Sequence, residues 1–231
     1  MNRYLLMSGA GHLVPLLALP AAAYLLGAVP FGLILCRAIK GVDIREHGSR
    51  NIGATNAARV CGLPFFFATF ALDFGKGLAP VLAGAALARW WLADVMDAGP
   101  VLSVEWLAVV YGVAAILGHT FPVYVGFRGG KAVATSFGVF VALAPWAALI
   151  AFGTWAVVFL AFRYVSLASM LGAVAAPAAY AALHGGAPGE RLPVLLFAVV
   201  VAVLVVARHR ANIGRLVRGE EPRAGLGRKE S

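Results

Sequence analysis

The sequence predicts an all-α, polytopic integral membrane protein with about seven transmembrane helices, folded as a single domain over residues 1–231. Of its 231 residues, 61% are hydrophobic and 13% are charged, and the mean hydropathy is +0.87. That composition excludes an ordinary soluble domain. Several apolar stretches reach the length of about 20 residues that a helix needs to cross a bilayer. The net charge of +9 favours anionic lipids or anionic substrates as partners, and no feature indicates nucleic acid.

The apolar segments predict where the spans lie. They cover about 13–38, 63–89, 104–123, 132–144, 146–162, 166–183 and 191–208. Uninterrupted apolar sequence from Leu13 to Cys36 favours a retained first span over a cleaved signal peptide. The run over 132–162 is too long for one span. Pro145 near its middle cannot continue a helix without losing a hydrogen bond, so we expect two helices folded back at Pro145. One long helix is the alternative, and it would place Arg163 on the opposite side.

Basic residues set the predicted orientation, because loops rich in Lys and Arg stay in the cytoplasm. They occur in the segments 37–59 and 124–131, at Arg163, and in the tail at about 209–231, whereas Asp94, Asp97 and Glu105 fall on the other face. The sequence therefore predicts a periplasmic N-terminus and a cytoplasmic C-terminus with a basic tail.

Three polar clusters interrupt the apolar sequence and are expected to face the cytoplasm together. The first is GSRNIGATNAAR, residues 48–59. A solvated connector with a helix cap would account for one or two of its polar residues, but not for all of them. Hydroxyls, amides and fixed positive charge in one short stretch indicate an anion site. Its candidate binding residues are Ser49, Asn51, Thr55, Asn56 and Arg59.

The second cluster, residues 126–136, is not a phosphate-binding P-loop, because its glycine spacing is one residue short and Ala132 replaces the Ser or Thr that holds magnesium. Successive glycines still let backbone N–H groups approach an anion. Lys131 precedes a predicted helix, whose N-terminus also favours negative charge. We therefore predict anion binding by Gly129, Gly130 and Lys131, with a simple positive-inside anchor as the alternative role for Lys131.

The third cluster, residues 207–216, contains His209 and Asn212, which share a face if the segment is helical. A basic stop after the last span is the alternative interpretation. Ser166 and Ser169 lie at a predicted membrane face, also three residues apart.

Ionisable residues within a predicted span need an explanation. Asp73 and Lys76 stand three apart in the second span and are expected to form an internal ion pair, with Lys76 and His119 as possible support for the anion site. Cys36 and Cys61 are expected to be free thiols.

Several catalytic patterns are missing from the sequence. It has no His-x₄-Asp pair, no G-x-S-x-G motif and no acid or histidine spacing typical of a metal site. A reaction at the polar clusters would therefore need a substrate that is already activated, with no metal or cofactor.

The chain resembles the acyl-phosphate:glycerol-3-phosphate acyltransferases of the PlsY type, found in bacterial inner membranes. The resemblance lies in YLLGAVPFG in the first span, GSRNIGATN, DFGKG, GHTFPVYVGFRGGKAVAT, RYVSLAS and HRANIGRLVRGEE. Two positions depart from the family pattern, which usually has glycine where Arg50 and Ala132 stand.

The resemblance implies seven spans and transfer of an acyl group from acyl phosphate to glycerol 3-phosphate, giving 1-acyl-glycerol 3-phosphate and inorganic phosphate. It implies that Ser49, Arg59, Lys131 and the glycine pair bind phosphate, and that Asn51, Thr55 and Asn56 shape the first loop. Ser169, His209 and Asn212 would complete the site, and Ser49, Lys131, Ser169, His209 and Asn212 are the predicted catalytic residues. An enzyme that makes acyl phosphate is the expected protein partner.

Two other classes of protein fit part of the pattern. A membrane carrier for phosphate or an organic phosphate would also gather glycines and basic residues at one face, but its spans should carry polar residues to the far side. A non-enzymatic scaffold would release no phosphate from a substrate.

Overall fold

The computed structural model describes residues 17–91, 104–184 and 188–225, and these are largely helical. The helices are α1 Leu19–Ala28, α2 Phe31–Lys40, α3 Ala54–Cys61, α4 Leu63–Trp91, α5 Val104–Thr120, α6 Val133–Leu143, α7 Pro145–Phe162, α8 Val165–Leu183, α9 Pro188–Arg208 and α10 Arg210–Val217. A 3₁₀ turn covers Val123–Val125. The chain divides after Leu143 into two compact units, and the single domain stays a prediction.

The helices have the length and composition of a multi-pass membrane protein. Six described segments are long and apolar enough to cross a bilayer: Leu19–Lys40, Leu63–Leu87, Val104–Val125, Pro145–Phe162, Val165–Leu183 and Arg191–Arg208. Val133–Leu143 is apolar but shorter. The seven-span count and the orientation of the termini therefore stay predictions. The helix break at Pro145 is confirmed, because α6 ends at Leu143 and Pro145 begins α7.

The first predicted span is not one continuous helix. It breaks at Val29 and Pro30, which separate α1 from α2, a feature that the sequence analysis missed. Proline has no N–H to continue the helical ladder. At the break, the Val29 carbonyl accepts hydrogen bonds from the Phe31 N–H at 3.1 Å and from Lys76 Nζ at 2.8 Å. The part of the predicted span before residue 17 lies outside the described residues.

Close helix packing in the first unit depends on small residues. A Cβ on Gly27 of α1 would collide with the Ala115 carbonyl of α5, and one on Gly118 of α5 would collide with the α1 backbone. Gly138 of α6 approaches the Phe74 carbonyl of α4 in the same way. Small residues let helix backbones approach closely where lipid removes the usual hydrophobic drive for association.

In the second unit, α8 packs against both α7 and α9. Gly172 of α8 lies close to Ala151 and Trp155 of α7, and Trp155 Nε1 donates a hydrogen bond to Ser169 Oγ at 3.3 Å. Large apolar side chains on α7, such as Leu149, Val157 and Leu160, are exposed. That is the expected state of side chains that face lipid.

Candidate anion-binding site

The loop before α3 is held by apolar side chains at both ends. Ile44 and Ile52 are buried and pack in one cluster with Leu33, Cys36, Ala57 and Phe65. Cys61 packs against the same cluster, and both cysteines are free thiols, as predicted. The buried ends fix the loop on α2 and α3, while Ser49, Arg50, Thr55 and Arg59 are exposed.

Asn56 ties this loop together from inside. Its side-chain N–H groups donate to the backbone carbonyls of Ile44, His47 and Asn51 at 2.9, 3.2 and 2.9 Å. Its Oδ1 accepts hydrogen bonds from the Ser49 N–H at 2.8 Å and from Arg59 Nη1 at 3.2 Å. The residue is 1% exposed. Asn56 therefore shapes the first loop through internal bonds, and it orders the segment that carries Ser49.

Two further groups stabilise the loop. Asn51 Oδ1 accepts a hydrogen bond from the Gly53 N–H at 2.9 Å, just before α3 begins. Asp43 pairs with Arg45 at 2.7 Å and with Arg37 at 2.6 Å. The hydrogen bond from Arg45, with the charges of both guanidinium groups, holds the pKa of the Asp43 carboxyl well below its usual range. Asp43 is therefore an anion that neutralises two of the basic groups near the loop.

The two residues that depart from the family pattern share an unusual backbone conformation. Arg50 has φ 57° and Ala132 has φ 61°. A left-handed conformation costs a residue with a Cβ roughly 1–2 kcal/mol, and glycine avoids the cost. Glycine adopts this conformation without the cost, so the two departures bear on loop geometry.

The glycine pair in the second cluster is packed against the end of α5. The Gly130 N–H donates to the His119 carbonyl at 3.1 Å. A Cβ on Gly129 would collide with the His119 and Thr120 carbonyls, and one on Gly130 would collide with the His119 imidazole. Lys131 follows immediately and is half-buried. It precedes α6, which begins at Val133.

The predicted ion pair within the second span is confirmed. Lys76 Nζ lies 2.7 Å from Asp73 Oδ1, and their side chains are 1% and 4% exposed. Lys76 also donates to Val29 and lies 5.5 Å from the Phe31 ring centroid. His119 Nδ1 lies 3.8 Å from Asp73 Oδ1. Lys76 is thus engaged with its carboxylate and with the helix break.

The second unit contains a polar centre that the sequence analysis missed. The Glu221 carboxylate accepts hydrogen bonds from Ser166 Oγ at 2.6 Å, Asn212 Nδ2 at 2.6 Å and Arg215 Nε at 2.7 Å. Its side chain is 6% exposed. The available signal was the adjacent pair of acidic residues, Glu220 and Glu221, within a mostly basic tail. Glu221 joins the start of α8 to α10, so this part of the tail is more than a basic stop.

The tail makes further contacts with the turn before α8. The Ala224 N–H donates to the Arg163 carbonyl at 2.8 Å, and Arg163 Nε donates to the Ala224 carbonyl at 3.3 Å. Arg223 Nε donates to the Tyr164 hydroxyl at 3.2 Å. The segment through Gly225 is therefore fixed to the turn at Arg163.

The remaining predicted catalytic residues of the second unit are buried. Ser169 donates to the Val165 carbonyl at 2.7 Å as well as accepting from Trp155. His209 Nδ1 lies 2.7 Å from the Val205 carbonyl. Because a carbonyl only accepts, Nδ1 carries the hydrogen there, and in a neutral ring the lone pair lies on Nε2.

No metal site was predicted from the sequence. Among the residues that the structure describes, no group of three or more His, Cys, Asp or Glu side chains could hold a metal ion.

Glu221 should make the stability of the protein depend on pH. Burial alone would raise its pKa, but the hydrogen bonds from Ser166, Asn212 and Arg215 together lower it. Its stabilising effect is therefore complete above the pKa of an unfolded-state glutamate and is lost as pH falls through the lower folded-state value. Glu221→Gln should lower stability at neutral pH by about 1.5–3 kcal/mol, and by less in acid.

Melting temperature as a function of pH checks this expectation. Glu220→Gln is the matched control, because Glu220 is 57% exposed and pairs with the exposed Arg218; such a pair contributes little. If Glu221→Gln and the wild type had the same melting temperature at every pH, the proposed role of Glu221 would be contradicted.

Comparison with known proteins gives one consistent result. The family model for glycerol-3-phosphate acyltransferase matches residues 17–219. A glycerol-3-phosphate acyltransferase of Anaeromyxobacter sp. (strain Fw109-5) is 44% identical over 90% of this chain and 95% of its own length. One of Aquifex aeolicus is 40% identical over 87% of this chain and 95% of its own.

Solved structures agree with the sequence relatives. A crystal structure of PlsY (YgiH), an integral membrane glycerol 3-phosphate acyltransferase, in its glycerol 3-phosphate form is 40% identical, covers 90% of this chain and 95% of its own, and has a TM-score of 0.77. The lysophosphatidic acid form of PlsY gives 39% identity and a TM-score of 0.74.

Proposed function

The chain belongs to the glycerol-3-phosphate acyltransferase family of the PlsY type, and from that premise we propose that it acylates glycerol 3-phosphate with acyl phosphate as the donor. The observation that carries the proposal is the match to these acyltransferases over nine-tenths of the chain. The Asn56-ordered loop supports it, because it leaves the Ser49 hydroxyl and the Arg59 guanidinium exposed on a fixed backbone.

The proposed reaction joins two substrates that both carry phosphate. The 1-hydroxyl oxygen of glycerol 3-phosphate attacks the acyl carbonyl carbon. The new ester bond forms as the bond from that carbon to the phosphate oxygen breaks, and inorganic phosphate leaves. The products are 1-acyl-glycerol 3-phosphate (lysophosphatidic acid) and phosphate. Because acyl phosphate is a mixed anhydride with a good leaving group, positioning and charge stabilisation can supply much of the barrier reduction.

The proton of the attacking hydroxyl needs an acceptor. We propose that a phosphate oxygen of the substrate takes it. His209 is the alternative acceptor, since its Nδ1 faces the Val205 carbonyl and its Nε2 carries the lone pair when the ring is neutral.

Phosphate binding is the proposed role of residues in the first two polar clusters. Ser49, Arg59 and Lys131 would stabilise phosphate oxygens, with the backbone at Gly129 and Gly130. Asn51 and Asn56 would act by shaping the loop, which is consistent with their internal hydrogen bonds, and Thr55 would add a hydroxyl at the start of α3.

Substrate orientation is the proposed role of two further residues. Asn212 and Ser169 would position glycerol 3-phosphate or its attacking hydroxyl. The hydrogen bond from Asn212 to Glu221 at 2.6 Å would hold the amide in one orientation.

The proposed setting is the bacterial inner membrane, with the reacting groups at the cytoplasmic face and the acyl chain among the helices. This fits the first step of phospholipid synthesis. An enzyme that produces acyl phosphate would act immediately before this one. The lipid-soluble product would remain in the bilayer.

Donor choice is a direct test of the proposed chemistry. Since the sequence has no His-x₄-Asp pair, we expect turnover with acyl phosphate and little or none with acyl-CoA or acyl carrier protein. The measurement is formation of acylated glycerol 3-phosphate by purified protein with each donor at matched chain length. Comparable rates with a thioester donor would contradict the proposal.

Labelling from each side of the membrane tests the proposed topology. We expect single cysteines at Ala187, which lies outside the described residues, and at Arg218 to react from opposite sides, the first from the periplasm. The parent protein would lack Cys36 and Cys61. Arg218 is a suitable position because its side chain is 59% exposed. Reaction of both cysteines from one side would refute the seven-span count.

A further inference from the structure

We propose that His119 is a positioning residue that fixes the backbone at Gly130 and thereby the ammonium group of Lys131. The inference rests on the proposed function, in which Lys131 binds a substrate phosphate. His119 lies in the last turn of α5 and is 4% exposed. Because its side chain is buried, we expect its influence to pass through the residues that it touches.

His119 contacts Gly130 in two ways. Its carbonyl accepts the Gly130 N–H at 3.1 Å. Its imidazole also fills the volume beside Gly130: Nε2, Cε1 and Cδ2 all lie within 3.0 Å of the place where a Cβ on residue 130 would be. The ring and the carbonyl of His119 thus restrict the position of the Gly130 backbone. Lys131 is the next residue in the chain, so a displaced Gly130 moves the backbone from which Lys131 extends.

The imidazole lies beside a buried ion pair. Its Nδ1 lies 3.8 Å from Asp73 Oδ1. That separation is too long for a hydrogen bond, but a hydrogen on Nδ1 would still be attracted to the carboxylate over this distance where water is excluded. Lys76 lies on the same carboxylate oxygen at 2.7 Å and reaches the Val29 carbonyl at 2.8 Å. The helix break at Val29 is therefore connected through Lys76, Asp73 and His119 to the glycine pair.

In this arrangement the buried Asp73–Lys76 pair has a structural role in addition to mutual charge neutralisation. Asp73 orients the ring, and Lys76 neutralises Asp73. The ring then holds a glycine backbone that has no side chain of its own to anchor it. A rigid glycine segment would present Lys131 to phosphate with little reorganisation, which is the condition for effective charge stabilisation.

A double-mutant cycle tests the contact between the ring and Gly130. Gly130→Ala places a methyl group against the imidazole and should raise KM for glycerol 3-phosphate at least tenfold, with a smaller effect on kcat. His119→Ala should raise KM severalfold through a looser segment. Because His119→Ala also makes room for the methyl group, Gly130→Ala should be at least tenfold less harmful in that background.

Gly129→Ala is the matched control. The three atoms nearest to a Cβ on Gly129 would be the His119 and Thr120 carbonyl oxygens and Pro122 Cδ, and none of these belongs to the imidazole. His119→Ala should therefore give no relief to Gly129→Ala. The proposal would be overturned if the KM changes of Gly130→Ala and His119→Ala simply multiply in the double variant. It would also be overturned if His119→Ala reduced the effects of Gly129→Ala and Gly130→Ala equally. If His119→Ala does not yield folded protein, His119→Asn takes its place with the same criteria.

Failure of the positioning role can be distinguished from failure of the proposed function. Wild-type protein that binds glycerol 3-phosphate but does not acylate it would refute the function. The cycle would then be measured as the rise in melting temperature that glycerol 3-phosphate produces in each variant, and the same coupling is expected. Wild-type protein that shows neither turnover nor this rise would overturn both.

Discussion

Lys131→Ala should reduce acyltransfer by about tenfold to a hundredfold while leaving the protein folded. The loss follows from removing a charge-assisted interaction, which is worth about 1.5–3 kcal/mol and more where water is partly excluded. Lys131 is half-buried beside the packed glycine pair, so solvent screens it less than a fully exposed lysine. The measurement is acyltransfer rate together with melting temperature.

Two companion variants show whether charge alone is responsible. Arg128→Ala removes a positive charge from the same loop at an exposed position and should have little effect. Lys131→Arg should restore activity only in part, because a planar guanidinium does not replace a compact ammonium in a pocket shaped by Gly129 and Gly130. A fully active Lys131→Ala enzyme would remove Lys131 from the anion site.

Lys76→Ala should act on stability first. It leaves the Asp73 carboxylate, 4% exposed, without its cation, and breaking a buried pair in this way costs about 3–5 kcal/mol. The Val29 carbonyl would also lose its side-chain donor. We therefore expect a lower melting temperature and a lower yield of folded protein, measured in detergent under fixed conditions.

Removing both charges should restore part of that loss. The double variant Asp73→Leu with Lys76→Met fills similar volume and leaves no unpaired ion. Its activity should recover less than its stability, because His119 loses the carboxylate that orients its ring in the proposed arrangement. Lys40→Ala is the matched control, since Lys40 is exposed at the end of α2. A double variant less stable than Lys76→Ala would show that the pair does more than neutralise charge.

Some features of the fold could be predicted from sequence because they follow from local physics. The run over 132–162 exceeds one span, so Pro145 had to mark a break. No break was predicted at Pro30, because 13–38 is an acceptable length for one span. What makes that break tolerable is a distant donor, Lys76, 47 residues from Val29, which no local pattern reveals.

The same contrast between local sequence patterns and contacts with distant residues applies to the candidate site. Clustering of Ser, Asn, Thr and Arg in residues 48–59 identified a polar loop, but the pattern could not show that the Asn56 side chain is used internally. One of the three partners of Glu221, Ser166, is 55 residues away, so the tail sequence alone could not show that Glu221 joins α10 to α8. Arg50 and Ala132 were recognised as departures from a glycine pattern, and the positive φ at both gives the reason that glycine suits these positions.

The most direct measurement is the stoichiometry of products formed by purified protein given acyl phosphate and glycerol 3-phosphate. We expect one 1-acyl-glycerol 3-phosphate for each inorganic phosphate released, with formation of the acylated product requiring both substrates. Transport of phosphate or glycerol 3-phosphate across sealed vesicles with no acylated product would contradict the account and favour a carrier.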